Sequence, residues 1–185
     1  MFNAALDLGA RQHQDPGGLG LVDSIKDNLL DKLVRDKVRA RFGGRLKAMV
    51  SGGAPLNPEI GLFFTALGLR ILQGYGQTET SPSVSVNTPG DMKLHTVGPP
   101  LKGVKVKIAD DGEILVRGDL VMQGYWRNEE ATRETIRDGW VHTGDIGIID
   151  EDGHLRITDR KKDIIVNSGG DNLSPQRIEG ILTIE

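Results

Sequence analysis

The 185-residue chain carries 23 basic and 26 acidic side chains, a formal net charge of −3, so its composition offers no basic footprint for nucleic acid. It has no cysteine, which excludes a disulfide framework, and no apolar run near the roughly 20 residues of a transmembrane helix. Because the start lacks a basic-then-apolar leader pattern, we expect a cytoplasmic protein.

The region from residue 46 to residue 79 predicts a βαβ unit. Leu46–Val50 and Leu69–Gln73 have strand character, and Asn57-Pro58-Glu59 begins a helix between them with a cap, a proline and an acid. Such a crossover predicts parallel strands, so the loops 51–54 and 74–79 would follow the carboxyl ends of neighbouring strands, where open α/β sheets bind ligands. Two tight glycine turns without a ligand are the alternative.

From Val97 the pattern changes to antiparallel β structure. Residues 97–159 predict a small β-barrel, with a hairpin turn at 150–153. An antiparallel hairpin brings its open ends together, so Asp145 and Arg160 should be neighbours. A carboxylate beside a permanently charged guanidinium suits a ligand with hydroxyls and phosphate. An ordinary salt bridge at the hairpin base is the alternative.

Several motifs resemble those of the adenylate-forming superfamily, which includes acyl- and aryl-CoA ligases, firefly-type luciferases and peptide-synthetase adenylation domains. The matching segments are TGD at 143–145, ITDRKKD at 157–163, SGGDNLSP at 168–175, SGGAPL at 51–56, QGYGQTE at 73–79 and GEILVRGDLVMQGYW at 112–126. Together they cover nearly the whole chain in the order and spacing of the family.

The resemblance implies three cofactors or co-substrates, namely ATP, Mg²⁺ and coenzyme A. The implied adenine pocket is formed by Tyr75 with Gly74, Gly52, Gly53 and Ala54. The residues implied at the ribose, phosphate and metal are Asp145 for the ribose hydroxyls, Arg160 for ribose and phosphate, Thr78 for a phosphate oxygen, and Glu79 for Mg²⁺. Thr78, Glu79 and Arg160 are the implied catalytic residues.

Two further segments take their roles from the resemblance alone. Lys162 aligns with the pivot of the family's carboxyl-terminal domain, and Ser168, Gly169 and Gly170 align with the loop that meets coenzyme A. Each site residue also has a structural alternative: Tyr75 as a core tyrosine, Glu79 as a turn cap, Asp145 as a turn residue, and Arg160 as an ion-pair partner of Asp159 or Asp163.

The implied reaction has two steps: a carboxylic acid attacks ATP to give acyl-adenylate and pyrophosphate, and the thiol of coenzyme A then displaces AMP. The residues around SGGAPL and QGYGQTE most resemble long-chain fatty acyl-CoA ligases. A ligase for aryl or medium-chain acids is one alternative. A catalytically dead nucleotide-binding or interaction module is another.

The implied fold is α/β in three parts. Residues 1–96 would form the carboxyl-terminal part of the large nucleotide-binding domain, 97–159 a β-barrel subdomain, and 160–185 the hinge and the start of a truncated α+β lid domain. The family's phosphate loop and its carboxylate-orienting lysine are not in this sequence. We therefore expect a fragment with little ligase activity, and the exposed sheet edges leave self-association open.

Overall fold

The computed structural model describes residues 1–163, 165–166 and 172–173. The chain forms two compact units, Met1–Gln73 and Gly74–Glu185. The domain boundaries predicted after residues 96 and 159 stay predictions. Among the described helices, none combines the length and apolarity that a membrane crossing requires.

The first unit is mostly helical. Its elements are α1 (Phe2–Gln14), α2 (Leu21–Leu30), a π-helical turn (Asp31–Arg35), α3 (Asp36–Arg41), β1 (Met49–Ser51), α4 (Pro58–Ala66) and the start of β2 (Ile71–Tyr75). A buried Arg35 links these helices, because its guanidinium donates to the carbonyls of Ala5 at 2.8 Å and Ala66 at 2.7 Å and to Asp27 at 2.6 Å. This arginine therefore ties α1 and α2 to the carboxyl end of α4.

The predicted βαβ unit is confirmed. β1 pairs in parallel with β2, from Met49 opposite Ile71 to Ser51 opposite Gln73. Asn57 caps α4 by accepting a 2.8 Å hydrogen bond from the Glu59 amide, and Pro58 occupies the first turn. The second strand begins later than predicted because the Leu69 amide still donates to the Phe64 carbonyl at the end of α4.

The second unit is built around an antiparallel sheet. The strands of this unit, which belong to three sheets, are the end of β2, β3 (Ser85–Val86), β4 (Lys105–Ile108), β5 (Glu113–Arg117), β6 (Ile136–Arg137), β7 (Trp140–Ile149), β8 (Leu155–Arg160), β9 (Ile165–Val166) and β10 (Asn172–Leu173). It also contains a 3₁₀ turn (Thr78–Thr80) and α5 (Glu129–Thr135). The main sheet has the order β4-β5-β7-β6, and β8 also pairs with β7. The mixed α/β fold class is thus confirmed.

The predicted closure of this sheet into a barrel is wrong for the part of the chain that the structure describes, where the sheet stays open. The segment after β5 adds no strand, because Met122 donates its amide to the Glu79 carbonyl and Val121 donates to Gly118. β4 is left at the edge of the sheet. Its exposed residues Lys105 and Lys107 are the kind of charge that discourages edge-to-edge association.

Val84, Ile114, Val116, Val141 and Leu155 form the centre of the hydrophobic core of the second unit. On β5, Glu113 and Leu115, which alternate with Ile114 and Val116, are buried as well, so this strand is covered on both faces. Leu155 is fully buried, whereas Ile149, its partner in the β7–β8 register, is 39% exposed.

We expect Leu155→Ala to lower the free energy of unfolding by about 2–5 kcal/mol, because it removes buried methyl groups and leaves a cavity. Ile149→Ala, the matched control across the same strand pair, should cost well under half as much. Denaturant unfolding of both variants measures the difference, and equal costs would contradict the placement of the core.

Candidate functional site

The carboxylate of Asp145 is the centre of a hydrogen-bonded cluster in the second unit. Its Oδ2 accepts from the Tyr75 hydroxyl at 2.7 Å and from Gln77 Nε2 at 2.6 Å. Its Oδ1 accepts from Arg160 Nε at 3.0 Å. We call these four residues the Asp145 cluster. The structure therefore brings together Tyr75, Asp145 and Arg160, three of the residues that the sequence nominated.

Strand register places the two ends of this cluster. Asp145 lies directly opposite Arg160 in the β7–β8 pairing, as the hairpin predicted. Asp145 lies within one continuous strand, β7, that begins at Trp140 and ends at Ile149. Gly144 has a φ of +71°, a conformation that glycine adopts without strain. β7 can therefore pass through Gly144 without interruption and still present Asp145.

The chain between β2 and the 3₁₀ turn supplies the other two members. Tyr75 ends β2 and Gln77 follows two residues later. Gly76 between them touches the backbone of Pro82 so closely that any Cβ would overlap the Pro82 carbonyl. Gln77 Nε2 also donates to the Thr143 carbonyl at 2.9 Å, which ties this loop to β7.

Tyr75 and Arg160 both keep the protons that they donate to Asp145. Burial, together with the hydrogen bond to Asp145, raises the pKa of Tyr75 well above its usual range, so the phenol stays protonated. The Asp145 carboxylate raises the pKa of Arg160 in turn. Asp145 is buried, whereas the Arg160 side chain is 58% exposed.

A carboxylate offers about four acceptor positions, and three on Asp145 are already filled. A vicinal diol that bound both oxygens would therefore displace one protein donor. Arg160 is the donor whose release costs least, because its side chain is mostly solvated. The arrangement can thus exchange an arginine for a pair of ligand hydroxyls.

Thr78 and Glu79 lie in the 3₁₀ turn, four or fewer residues beyond Tyr75. The Glu79 carboxylate belongs to a different contact: its Oε1 accepts from the Tyr125 hydroxyl at 2.7 Å. Thr78 is exposed.

The described residues contain no group of three or more His, Cys, Asp or Glu side chains that could hold a metal by themselves. A single carboxylate still fits Mg²⁺, which commonly takes one or two carboxylates with phosphate and water as its other ligands.

The remaining predicted residues lie as follows. Gly52, Gly53 and Ala54 follow β1 in the first unit and are exposed, with a φ of +81° at Gly53. Lys162 is exposed in the turn after β8. Ser168, Gly169 and Gly170 lie outside the described residues. The roles assigned to all of these residues stay predictions.

Comparison with known proteins identifies the family. A family model described as "AMP-binding enzyme" matches residues 3–126. The chain belongs to the AMP-binding enzyme family. Long-chain-fatty-acid–CoA ligase FadD15 of Mycobacterium tuberculosis is 52% identical over 165 residues, covering 89% of this chain and 28% of that protein. Long chain acyl-CoA synthetase 7, peroxisomal, of Arabidopsis thaliana is 40% identical over 169 residues, covering 83% and 24%.

Solved structures agree with this membership. o-Succinylbenzoate CoA synthetase of Bacillus subtilis, solved with an acyl-adenylate intermediate, is similar with a TM-score of 0.71 and 29% identity, over 82% of this chain and 34% of that one. ATP-bound MatB of Rhodopseudomonas palustris has a TM-score of 0.68 and 37% identity, over 74% and 29%. The chain spans less than a third of the length of the curated relatives named above.

Sequence reasoning missed three side chains around this candidate site. Gln77 holds Asp145, Tyr125 holds Glu79, and Glu113 holds the turn before Asp145 by accepting from the Gly144 amide at 2.8 Å. A signal existed for Gln77, which lies between two nominated residues in one loop. Glu113 and Tyr125 are distant in sequence from their partners, so only the fold connects them.

One arrangement resembles a nucleophilic triad although the sequence suggested none. His154 lies between Asp91, at 2.9 Å from Nε2, and Thr96, at 3.1 Å from Nδ1. Thr96 is 2% exposed and its hydroxyl is also bonded to the Lys93 carbonyl and the Gly98 amide. A substrate has no access to this hydroxyl, so the triad holds the 87–98 loop and carries no chemistry.

The buried carboxylate of Glu113 makes stability depend on pH. Burial alone raises its pKa, but hydrogen bonds from Gly144, His142 and Lys161 outweigh this and hold the pKa below the usual value of 4.5. Its contribution is therefore complete above the unfolded-state pKa and is lost as the pH falls through the lower folded-state pKa.

We expect the unfolding temperature of the chain to fall below about pH 4.5, and part of that fall should be absent in Glu113→Gln, which cannot titrate. Thermal unfolding from pH 7 downward measures the two slopes. Glu151→Gln, an exposed change in the 150–153 turn, is the control and should keep the parent slope. Parallel curves for the parent chain and Glu113→Gln would contradict the assignment.

Proposed function

We propose that this chain is a segment of a long-chain fatty acid–CoA ligase that converts a fatty acid and ATP to acyl-AMP and pyrophosphate and then to acyl-CoA. Membership in the AMP-binding family and the names of the most similar relatives support the reaction class. The observation that carries the proposal is the buried Asp145 carboxylate, which accepts from three donors, one of which, Arg160, the hydroxyls of an adenosine ribose can displace.

In this proposal the adenine ring contacts the part of Tyr75 that the core leaves exposed, 9% of the residue, because a flat aromatic face favours offset contact with a purine. Gly74 allows the base to approach the backbone, and the family motif assigns the same role to Gly52, Gly53 and Ala54. Asp145 accepts the ribose hydroxyls, and the Arg160 guanidinium that they displace turns to the α-phosphate, where it stabilises negative charge.

The phosphate side of the site uses the 3₁₀ turn. Thr78 donates its hydroxyl to a phosphate oxygen, and Glu79, held by Tyr125, supplies a carboxylate oxygen to the metal. Mg²⁺, when bound, neutralises the pyrophosphate leaving group. The protein supplies no covalent nucleophile in this scheme; its residues orient the reactants and stabilise charge.

The second step would use the residues beyond β8. Lys162 is the proposed pivot between the two catalytic arrangements, since such hinges absorb a backbone rotation. Ser168, Gly169 and Gly170 would meet coenzyme A. A fatty acid, ATP and coenzyme A are the partners in this proposal, and a cytoplasmic setting, expected from composition, belongs to it as well.

Identity favours a fatty acid over the alternatives. The curated relatives named for long-chain acids reach 52% identity, whereas the o-succinylbenzoate CoA synthetase shares 29%. An aryl or medium-chain acid remains the second candidate for the substrate. A nucleotide-binding module without activity remains the second candidate for the class of protein.

We expect the 185-residue chain to bind Mg·ATP, and Asp145→Ala to weaken binding about 10- to 100-fold, because one or two charge-assisted hydrogen bonds to the ribose are lost. Isothermal titration measures both dissociation constants. Glu151→Ala removes a carboxylate at the opposite end of the same hairpin and should leave binding unchanged. Equal affinity of Asp145→Ala and the parent chain would remove Asp145 from the site.

The 185-residue chain alone should show no fatty-acid-dependent ATP–pyrophosphate exchange, because the phosphate loop and the carboxylate-orienting lysine of the family are not among its residues. Grafted in place of the matching 165 residues of the M. tuberculosis FadD15 ligase, it should restore that exchange with a long-chain acid. A folded, nucleotide-binding chimera without exchange would favour the inactive module. Exchange with an aryl acid alone would favour the second substrate class.

A further inference from the structure

We propose that Glu113 is a positioning residue for the nucleotide subsite: its buried carboxylate fixes the Gly144 turn and the Lys161 side chain, and so sets both Asp145 and Arg160. This inference rests on the proposed function for its consequence in ATP binding. Its geometric part, that Glu113 orients Asp145, can be tested without any ligand.

Glu113 holds Gly144 from one side. Its Oε1 accepts the Gly144 amide at 2.8 Å, and Gly144 immediately precedes Asp145. The Gly144 carbonyl accepts the Lys161 amide at 2.8 Å. The amide and the carbonyl of Gly144 are thus both held by residues outside β7. Because Gly144 has a positive φ and no side chain, these two hydrogen bonds decide how the turn presents the next residue.

The same carboxylate reaches the residue after Arg160. Its Oε2 accepts from Lys161 Nζ at 3.1 Å and lies 3.2 Å from His142 Nδ1. Lys161 Nζ also pairs with Asp111 at 2.6 Å. One side chain on β5 is therefore connected to the residue before Asp145 on β7 and to the residue after Arg160 at the end of β8.

Burial makes these contacts costly to lose. The Glu113 side chain is 7% exposed, whereas Asp111, the other partner of Lys161, is 53% exposed. A buried carboxylate needs several donors to offset its lost hydration, and Gly144, His142 and Lys161 provide them. Glu113 alternates with the core residues Ile114 and Val116 along β5, so its carboxylate lies on the other face of the strand, where it meets the Gly144 amide.

Four substitutions distinguish the hydrogen bond that Glu113 accepts from the Gly144 amide from the ion pair that it forms with Lys161. Glu113→Ala removes both. Glu113→Gln keeps an oxygen for the Gly144 amide and loses the charge that attracts Lys161. Asp111→Asn weakens only the exposed ion pair of Lys161 and is the matched control. Glu113→Asp keeps the charge but draws the carboxylate back from Gly144, and it replaces Glu113→Ala in every comparison should that variant fail to fold.

The first measurement needs no nucleotide. The chain has two tyrosines, and the hydroxyl of Tyr75 donates to Asp145 while that of Tyr125 donates to Glu79. In NMR spectra of isotope-labelled tyrosine Cζ, Glu113→Ala should move the Tyr75 resonance and leave that of Tyr125 in place. Glu113→Gln and Asp111→Asn should resemble the parent chain. An unmoved Tyr75 resonance in the alanine and aspartate variants would overturn the positioning role.

The second measurement is the ratio of affinities for Mg·ATP and Mg·2′-deoxy-ATP. Glu113→Ala should bind Mg·ATP about 10-fold more weakly and lose most of the preference over the deoxy nucleotide, and Asp145→Ala should lose that preference as well. A lower unfolding temperature with an unchanged ratio means a structural role only and overturns the inference. If the parent chain binds neither nucleotide, the proposed function fails, and the Tyr75 resonance still decides the position of Asp145.

Discussion

The second unit is organised around the need to keep one carboxylate buried. Asp145 lies inside the protein with little water, and an isolated charge there would be strongly unfavourable. Three donors from two parts of the chain remove that penalty: Tyr75 and Gln77 from the loop after β2, and Arg160 from the end of β8. Because the donors point inward to Asp145, the loop and the β7–β8 hairpin are held against each other.

A second buried carboxylate supports the first. Glu113 does not touch Asp145, but it binds the peptide before it and the lysine after Arg160. The two carboxylates differ in whether a ligand can displace their hydrogen-bond donors. Asp145 has an exposed partner, Arg160, that a ligand can replace, whereas the Gly144 amide that Glu113 accepts belongs to the backbone of β7. One carboxylate is therefore available for exchange and the other serves as a fixed support.

The sequence predicts much of this arrangement because its signals are local. The Asn57 cap and Pro58 establish α4, and the length of the crossover gives parallel pairing of β1 and β2. The 150–153 turn gives the register that brings Asp145 to Arg160. The family motifs predict which other residues belong to the site, and the roles of several of these residues stay predictions.

What the sequence does not predict depends on contacts between distant residues. Barrel closure is wrong because the segment after β5, which has an apolar pattern, is bonded to the Glu79 carbonyl and forms no strand. Tyr125 is 46 residues from its partner Glu79, and Glu113 is 31 residues from Gly144. No short-range pattern encodes such pairs, so only the folded chain reveals them.

The continuous β7 strand has a consequence for the thermodynamics of binding. β5, β6 and β8 all pair with β7, and within that strand Asp145 is held in register opposite Arg160 of β8. In the proposed function, a nucleoside would meet an acceptor that is already ordered, and little conformational entropy would be lost there on association. The entropic cost would fall instead on the solvated side chains of Thr78 and Arg160, and the freedom that these two side chains lose on binding would then limit affinity.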